Sequence, residues 1–206
     1  MLYPSPKIHS PKWLYAKHLQ TIIPNVYRKV EGVAYLREQI ATWDDDFLDL
    51  DWSIVGSKKV VIISHGFEGS SDRVYARGLT KMLNKNGFDV CAWNFRGCGG
   101  EDNLQIYNYH SGKTDDLDFI VNNIIKKEKY TEYYLVGISM GGNMTLKYLG
   151  EEKWNSVHKI TSAITVSVPI HYETSFPHLI KGWNVMYERR FTNQVKEKVL
   201  KKQTRF

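Results

Sequence analysis

The chain has 206 residues, 42% of them hydrophobic and 24% charged, with a net charge of +6. That balance describes a globular domain with a real core and excludes collagen-like, coiled-coil and wholly disordered chains. Residues 181–206 hold eight Lys/Arg against two Glu, so the first 180 residues are neutral and a global electrostatic case for a nucleic-acid partner fails.

No apolar run approaches the roughly 18 residues of a membrane span, and the opening MLYPSPKIHSPKW has prolines where a signal peptide needs its apolar core. A cytoplasmic location is expected. Cys91 and Cys98 lie seven apart, with no CxxC pair and no second cluster to complete a zinc site, so they are read as free structural thiols and no metal or other cofactor is expected.

Three parts are expected: an N-terminal arm (1–30), a core (31–180) and a basic amphipathic helix (181–206). The arm has four prolines up to Arg28 and is read as irregular, because proline denies it regular hydrogen bonding. Residues 35–42 and 47–54 alternate apolar and polar side chains around the acidic turn Asp44-Asp45-Asp46, which predicts an antiparallel hairpin at an edge. KVVIIS (59–64) is the first strand buried on both faces. Ser71 or Asp72 then caps a helix over 73–86, with Val74, Leu79, Met82 and Leu83 inward and Gly87 as its stop. FDVCAW (88–93) is the next buried strand. Thr114 caps a helix whose Leu117, Ile120, Val121, Ile124 and Ile125 follow a helical period. A strand over 133–136, a helix to about 150 and a strand over 160–168 complete the series. Strand and helix alternate, so the fold class is α/β, with a mostly parallel sheet and helices on both faces.

GISMGG (137–142) stands between the strand over 133–136 and the helix behind it. Gly-x-Ser-x-Gly in that setting places Ser139 in a strained tight turn with its hydroxyl exposed, and Gly137 and Gly141 avoid collision with the neighbouring elements. The alternative is a serine that only caps a helix. A nucleophile needs oxyanion donors, here the Met140 N–H and an N–H from the loop after the first parallel strand, His65-Gly66-Phe67-Glu68-Gly69; Phe67 N–H is the candidate. His65 could act as base, but its place on this loop favours a ring that holds the turn. Gly66 and Gly69 also fit the simpler role of turn glycines.

HLQTIIPN (18–25), HGFEGSSDRVYARGL (65–79), NFRGCGGEDN (94–103), YHSGKTDDL (109–117), GISMGGNMTLKYLGE (137–151) and VSVPI (166–170) with GWNVMYERRF (182–191) together resemble the YheT-like branch of the α/β-hydrolases, carboxylesterases related to the mammalian abhydrolase-domain lipases. The resemblance implies an α/β-hydrolase fold and ester hydrolysis by a Ser-Asp-His triad, with Ser139 as nucleophile and Phe67 and Met140 at the oxyanion positions. It implies a supporting role for Arg96 and Gly97, an arginine tying loops together near the site. Tyr109, His110, Ser111 and Gly112 match a family segment without an assigned chemical step, and His110 is a second possible base. Gly99 stands where the resemblance implies a serine.

Partners for Ser139 are hard to find downstream. No aspartate follows Asp118, the later histidines are His158, His171 and His178, and the expected order is serine, acid, histidine after later strands. His171 or His178 with Glu173 is one makeshift pair. The favoured expectation is that the last strands of the sheet, and with them the triad acid and histidine, lie beyond the chain end. The tail repeats Trp183, Tyr187, Phe191, Val195 and Val199 every four residues among cations, a stripe suited to a cap over the substrate cleft or to weak contact with an anionic membrane surface. The expected function is a serine carboxylesterase or lipase acting on a small-molecule ester or acylglycerol. The alternatives are an inactive remnant of such an enzyme, or an acyltransferase or thioesterase on the same fold.

Overall fold

In the computed structural model, which describes His9 and residues 11–204, the chain runs in order through α1 (Lys17–Tyr27), β1 (Leu36–Ala41), β2 (Phe47–Ser53), β3 (Lys59–Ser64), α2 (Val74–Lys85), β4 (Asp89–Asn94), α3 (Asp115–Lys126), β5 (Glu132–Ile138), α4 (Met140–Gly150), β6 (Ile160–Val166), α5 (Tyr172–Leu179) and α6 (Val185–Gln203). The strands form one sheet in the order β1-β2-β4-β3-β5-β6. β1 and β2 pair antiparallel, and β2 meets β4 antiparallel, while β4-β3, β3-β5 and β5-β6 are parallel.

The period-two geometry of the strands divides the core into two layers. Val60 and Ile62, with Cys91 and Trp93 from β4 and Leu135 from β5, face α3 and α4, where Leu117, Ile120, Val121, Ile124, Met144 and Tyr148 are buried. Val61 and Ile63, with Val90, Ala92 and Val136, face the opposite layer, closed by Leu79 and Leu83 of α2. Both faces of β3 are therefore dry, which is why KVVIIS is apolar without alternation. β6 is the sheet's other edge, and its Ile164 is 63% exposed.

Several local expectations change. The supposed irregular arm contains α1, because three of its four prolines precede residue 12 and leave a proline-free run before Pro24, which the helix accommodates near its end. Residues 1–8 and Ser10 lie outside the described residues. Ser71 and Asp72 do not cap α2: Arg73 is its N-cap, the Ser71 hydroxyl donates to Asp51, and Asp72 pairs with Arg77. The inward positions of α2 include Ala76 and Thr80, while Met82 is 49% exposed. Thr114 holds the N-cap position of α3 as expected, yet its hydroxyl accepts no helix N–H: it accepts the Trp154 indole N–H and donates to Glu151. α5, which holds Pro177, was not expected.

Candidate active site

Register brings the two catalytic-type segments together. β3 and β5 are parallel neighbours with Ser64 opposite Gly137, so the chain leaves both strands at the same sheet edge. Ser139 follows β5 with φ 54° and ψ −117°, a left-handed backbone for a residue with a side chain, and its N–H donates to the Val166 carbonyl of β6 at 2.8 Å. The turn is tight enough to demand glycine. A Cβ on Gly137 would stand 2.6 Å from the Gly141 carbonyl oxygen, and one on Gly142 would stand 2.6 Å from Val168 Cγ2. Gly66 lies against the same turn, its added Cβ falling 3.4 Å from Ser139 Cβ.

The loop after β3 is held from several directions. The Gly66 N–H donates to the Tyr75 hydroxyl at 2.9 Å, the Glu68 N–H to the Tyr109 hydroxyl at 2.9 Å, and the Gly69 N–H to the Gly66 carbonyl at 2.9 Å. The Phe67 N–H between them has no protein acceptor among the described residues. Met140 is the first residue of α4, so its N–H is among those that no intrahelical carbonyl accepts. The Phe67 and Met140 N–H groups thus have no protein acceptor among the described residues, and that of Met140 stands at the positive end of the α4 dipole.

His65 is fully buried, and its Nε2 accepts the Phe95 N–H at 3.1 Å, which leaves Nδ1 to carry the proton donated to the Gly66 carbonyl at 2.7 Å. Burial lowers its pKa to about 4, so the ring is neutral and both nitrogens are engaged. It packs on Phe95 with ring centroids 4.0 Å apart. This histidine braces the loop.

Arg96 lies behind the site. It is buried, with Nε and Nη2 donating to both oxygens of Asp116 at 2.9 and 2.7 Å and Nη1 reaching Asp46 at 2.8 Å and Asp44 at 2.9 Å. The guanidinium ties the loop after β4 to the hairpin turn and to the start of α3. Burial opposes ionisation of Asp44, but hydrogen bonds from Thr42, Tyr107 and Arg96 outweigh it and hold that carboxyl at about 2. At Gly99 an added Cβ would stand 1.9 Å from Asp49 Oδ2, so the carboxylate fills the space of the serine that the resemblance implies.

A cleft of about 1220 Å³ opens in front of Ser139, between the sheet edge and α1, α5 and α6. Its walls include Ile22, Val26, Phe67, Ile138, Val168, Leu179, Phe191 and Val195, with Arg73, Arg190 and Lys196 among the lining cations. Within the helical stripe, Tyr187, Phe191, Val195 and Val199 line this cleft, whereas Trp183 lies before α6 and is exposed.

Among the described residues no histidine nitrogen hydrogen-bonds to the Ser139 hydroxyl. His110 lines the cleft, its Nδ1 accepting the Gly112 N–H at 3.1 Å. His171 is exposed, with Nδ1 3.2 Å from the Thr174 hydroxyl, and His178 and Glu173 are exposed as well. The makeshift pair of histidine and Glu173 is not assembled at Ser139. Sequence reasoning also passed over Tyr75, Glu68 and Lys198, whose roles depend on contacts between distant segments; the one signal in the chain was the glutamate inside HGFEGSS.

Residues 56–204 match the family described as serine aminopeptidase, S33. The chain is 32% identical over 189 residues to an esterase named YheT of Escherichia coli, covering 90% of this chain and 55% of that protein. It is 34% identical over 127 residues to a monoacylglycerol lipase of Saccharomyces cerevisiae, covering 61% of this chain and 27% of the lipase. The chain therefore spans about half or less of the length of these relatives. Among solved structures, an esterase of Pyrococcus furiosus superposes with a TM-score of 0.59 at 25% identity, over 77% of this chain and 62% of that one. Among the described residues no helix is long and apolar enough to cross a membrane. With the family matched over more than half of this chain, the chain belongs to the serine aminopeptidase S33 family of hydrolases and has the α/β-hydrolase fold.

Proposed function

We propose that this chain carries the nucleophile and oxyanion hole of a serine carboxylesterase or lipase. Ser139 Oγ attacks the ester carbonyl carbon, the carbonyl oxygen takes the negative charge and is held by the Phe67 and Met140 N–H groups, and collapse expels the alcohol and leaves an acyl-serine. Water then attacks the acyl carbon and releases the acid. The proton transfers require a histidine and an acid that orients it, and among the described residues no histidine hydrogen-bonds to Ser139. The observation that carries the reading is Ser139 in a left-handed strand-to-helix turn, next to a loop whose Phe67 N–H is unclaimed while both neighbouring N–H groups are taken.

An ester is favoured over a peptide by the esterase and lipase names of the relatives and by the apolar walls of the cleft, which suit an acyl chain of a small ester or acylglycerol. The cations of residues 181–206 suit weak contact with an anionic membrane surface from which such substrates come.

The test is hydrolysis of p-nitrophenyl esters and labelling by a fluorophosphonate, both in the full-length protein. Ser139→Ala is expected to abolish labelling and to lower turnover by about a thousandfold or more; turnover that survives the substitution overturns the reading. The second reading, a chain that by itself turns over nothing, is favoured by the absence of a histidine contact to Ser139 among the described residues. Labelling of the 206-residue chain at the full-length rate overturns that one.

A further inference from the structure

The fold holds a buried polar cluster that the chemistry above does not use. Glu68 directly follows Phe67 and has φ 49°, so its backbone sits in a left-handed conformation that something must hold. Its N–H donates to the Tyr109 hydroxyl at 2.9 Å, and that hydroxyl donates to Glu68 Oε1 at 2.6 Å. Lys198 Nζ of α6 closes on Glu68 Oε2 at 2.8 Å, with side-chain exposures of only 19% and 5%. Lys198 also donates to Cys98 Sγ at 3.1 Å, a thiol that burial keeps protonated.

We propose that Lys198 and Tyr109 are positioning residues of the oxyanion loop: acting through Glu68, they hold the Phe67 N–H at the place where the oxyanion forms. The proposal rests on the reading of Phe67 as an oxyanion donor. Glu68 is a carboxylate in a nearly dry place, and without the ammonium of Lys198 it would turn toward solvent and carry its strained backbone with it. Two further contacts make α6 and the loop one unit. The Phe67 and Phe191 rings meet at 5.4 Å, and Lys202 donates to Asn103 Oδ1 at 2.7 Å and to the Gln105 carbonyl at 2.6 Å, seating the same end of the helix. The helix that walls the cleft therefore also sets the geometry of the hole, and the loop is correctly formed only while α6 is docked.

Fluorophosphonate labelling of Ser139 in the full-length protein, resolved into a binding constant and a maximal rate per folded molecule, tests this. Lys198→Met and Tyr109→Phe are expected to lower the maximal rate about ten- to a hundredfold with little change in binding. Lys198→Arg should restore most of the Lys198→Met loss, while Glu197→Gln at an exposed position of the same helix changes nothing. Glu68→Gln combined with Lys198→Met should be no slower than either alone. A merely stabilising ion pair would lower the melting temperature and leave the rate per folded molecule intact, and that result overturns the proposal. If Lys198→Met does not fold, Lys198→Gln takes its place. Amide hydrogen exchange gives an arm independent of activity: residues 65–69 should exchange about tenfold faster in Lys198→Met, and unchanged exchange overturns the positioning role. A wild type that never labels, while its exchange responds as expected, overturns instead the reading of Ser139 as nucleophile.

Discussion

Gly141 packs on the carbonyl oxygen of His65 so closely that a Cβ added to the glycine would stand 2.3 Å from it. The first turn of α4 and the end of β3 are thus in backbone contact, and neither has a flexible atom to yield. Gly141→Ala is expected to destabilise the fold by about 1–3 kcal/mol, measured by urea unfolding, and to displace the oxyanion loop from Ser139. Gly150→Ala, whose Cβ meets nothing within 4 Å, is the control and should be neutral or slightly stabilising.

Strain at Ser139 gives a second expectation. A left-handed serine costs about 1–3 kcal/mol that glycine largely avoids. Ser139→Gly should therefore melt higher than Ser139→Ala, although both lack the hydroxyl. Equal melting temperatures for the two variants would show that the turn at φ 54° stores no strain.

His65 makes stability depend on pH. Its folded pKa of about 4 lies below the ordinary 6.5, so between these values the unfolded chain binds a proton that the folded chain does not. Stability contributed by the neutral ring is complete above about pH 6.5, is lost progressively as pH falls toward 4, and changes no further below that. At 1.36 kcal/mol per unit the loss from this group is about 3 kcal/mol. Unfolding free energies measured from pH 7 to 4 should show that slope, and His65→Gln should flatten it.

Arg96 pairs with three carboxylates in a buried place. Arg96→Met leaves Asp44, Asp46 and Asp116 facing one another and is expected to cost about 3–5 kcal/mol, read by thermal or urea unfolding. Arg96→Lys should recover only part, because an ammonium cannot make the two-pronged contact with Asp116. In the folded fraction of Arg96→Lys, the Asp44 carboxyl should titrate above its present value of about 2.

The centre of the sheet was legible in the sequence, because β3 and β4 are buried on both faces and KVVIIS and FDVCAW have few other ways to hide their side chains. The turn at Ser139 was legible in part for a local reason: Gly137 answers to collisions with Gly141 and Gly142 a few residues on, whereas Gly141 answers to the Ser64 and His65 carbonyls of a distant segment. The helical content of the arm was not, since counting prolines in residues 1–28 hid where along the stretch they fall. Nor were the partners of the Ser71 and Thr114 hydroxyls, Asp51 and Glu151 from other elements, although Thr114 does hold the N-cap position of α3.

What the sequence determined by itself was local and periodic: the alternation of strand and helix, the strained serine, and the loop that must follow the first parallel strand. Tertiary structure alone decided that Ser64 stands opposite Gly137, which puts that loop beside Ser139, and that Lys198 reaches back to Glu68 across the fold. The physical reason is range. Torsional strain and hydrophobic period are written in neighbouring residues, whereas a buried ion pair depends on where two distant segments are brought together, and only packing of the whole chain does that.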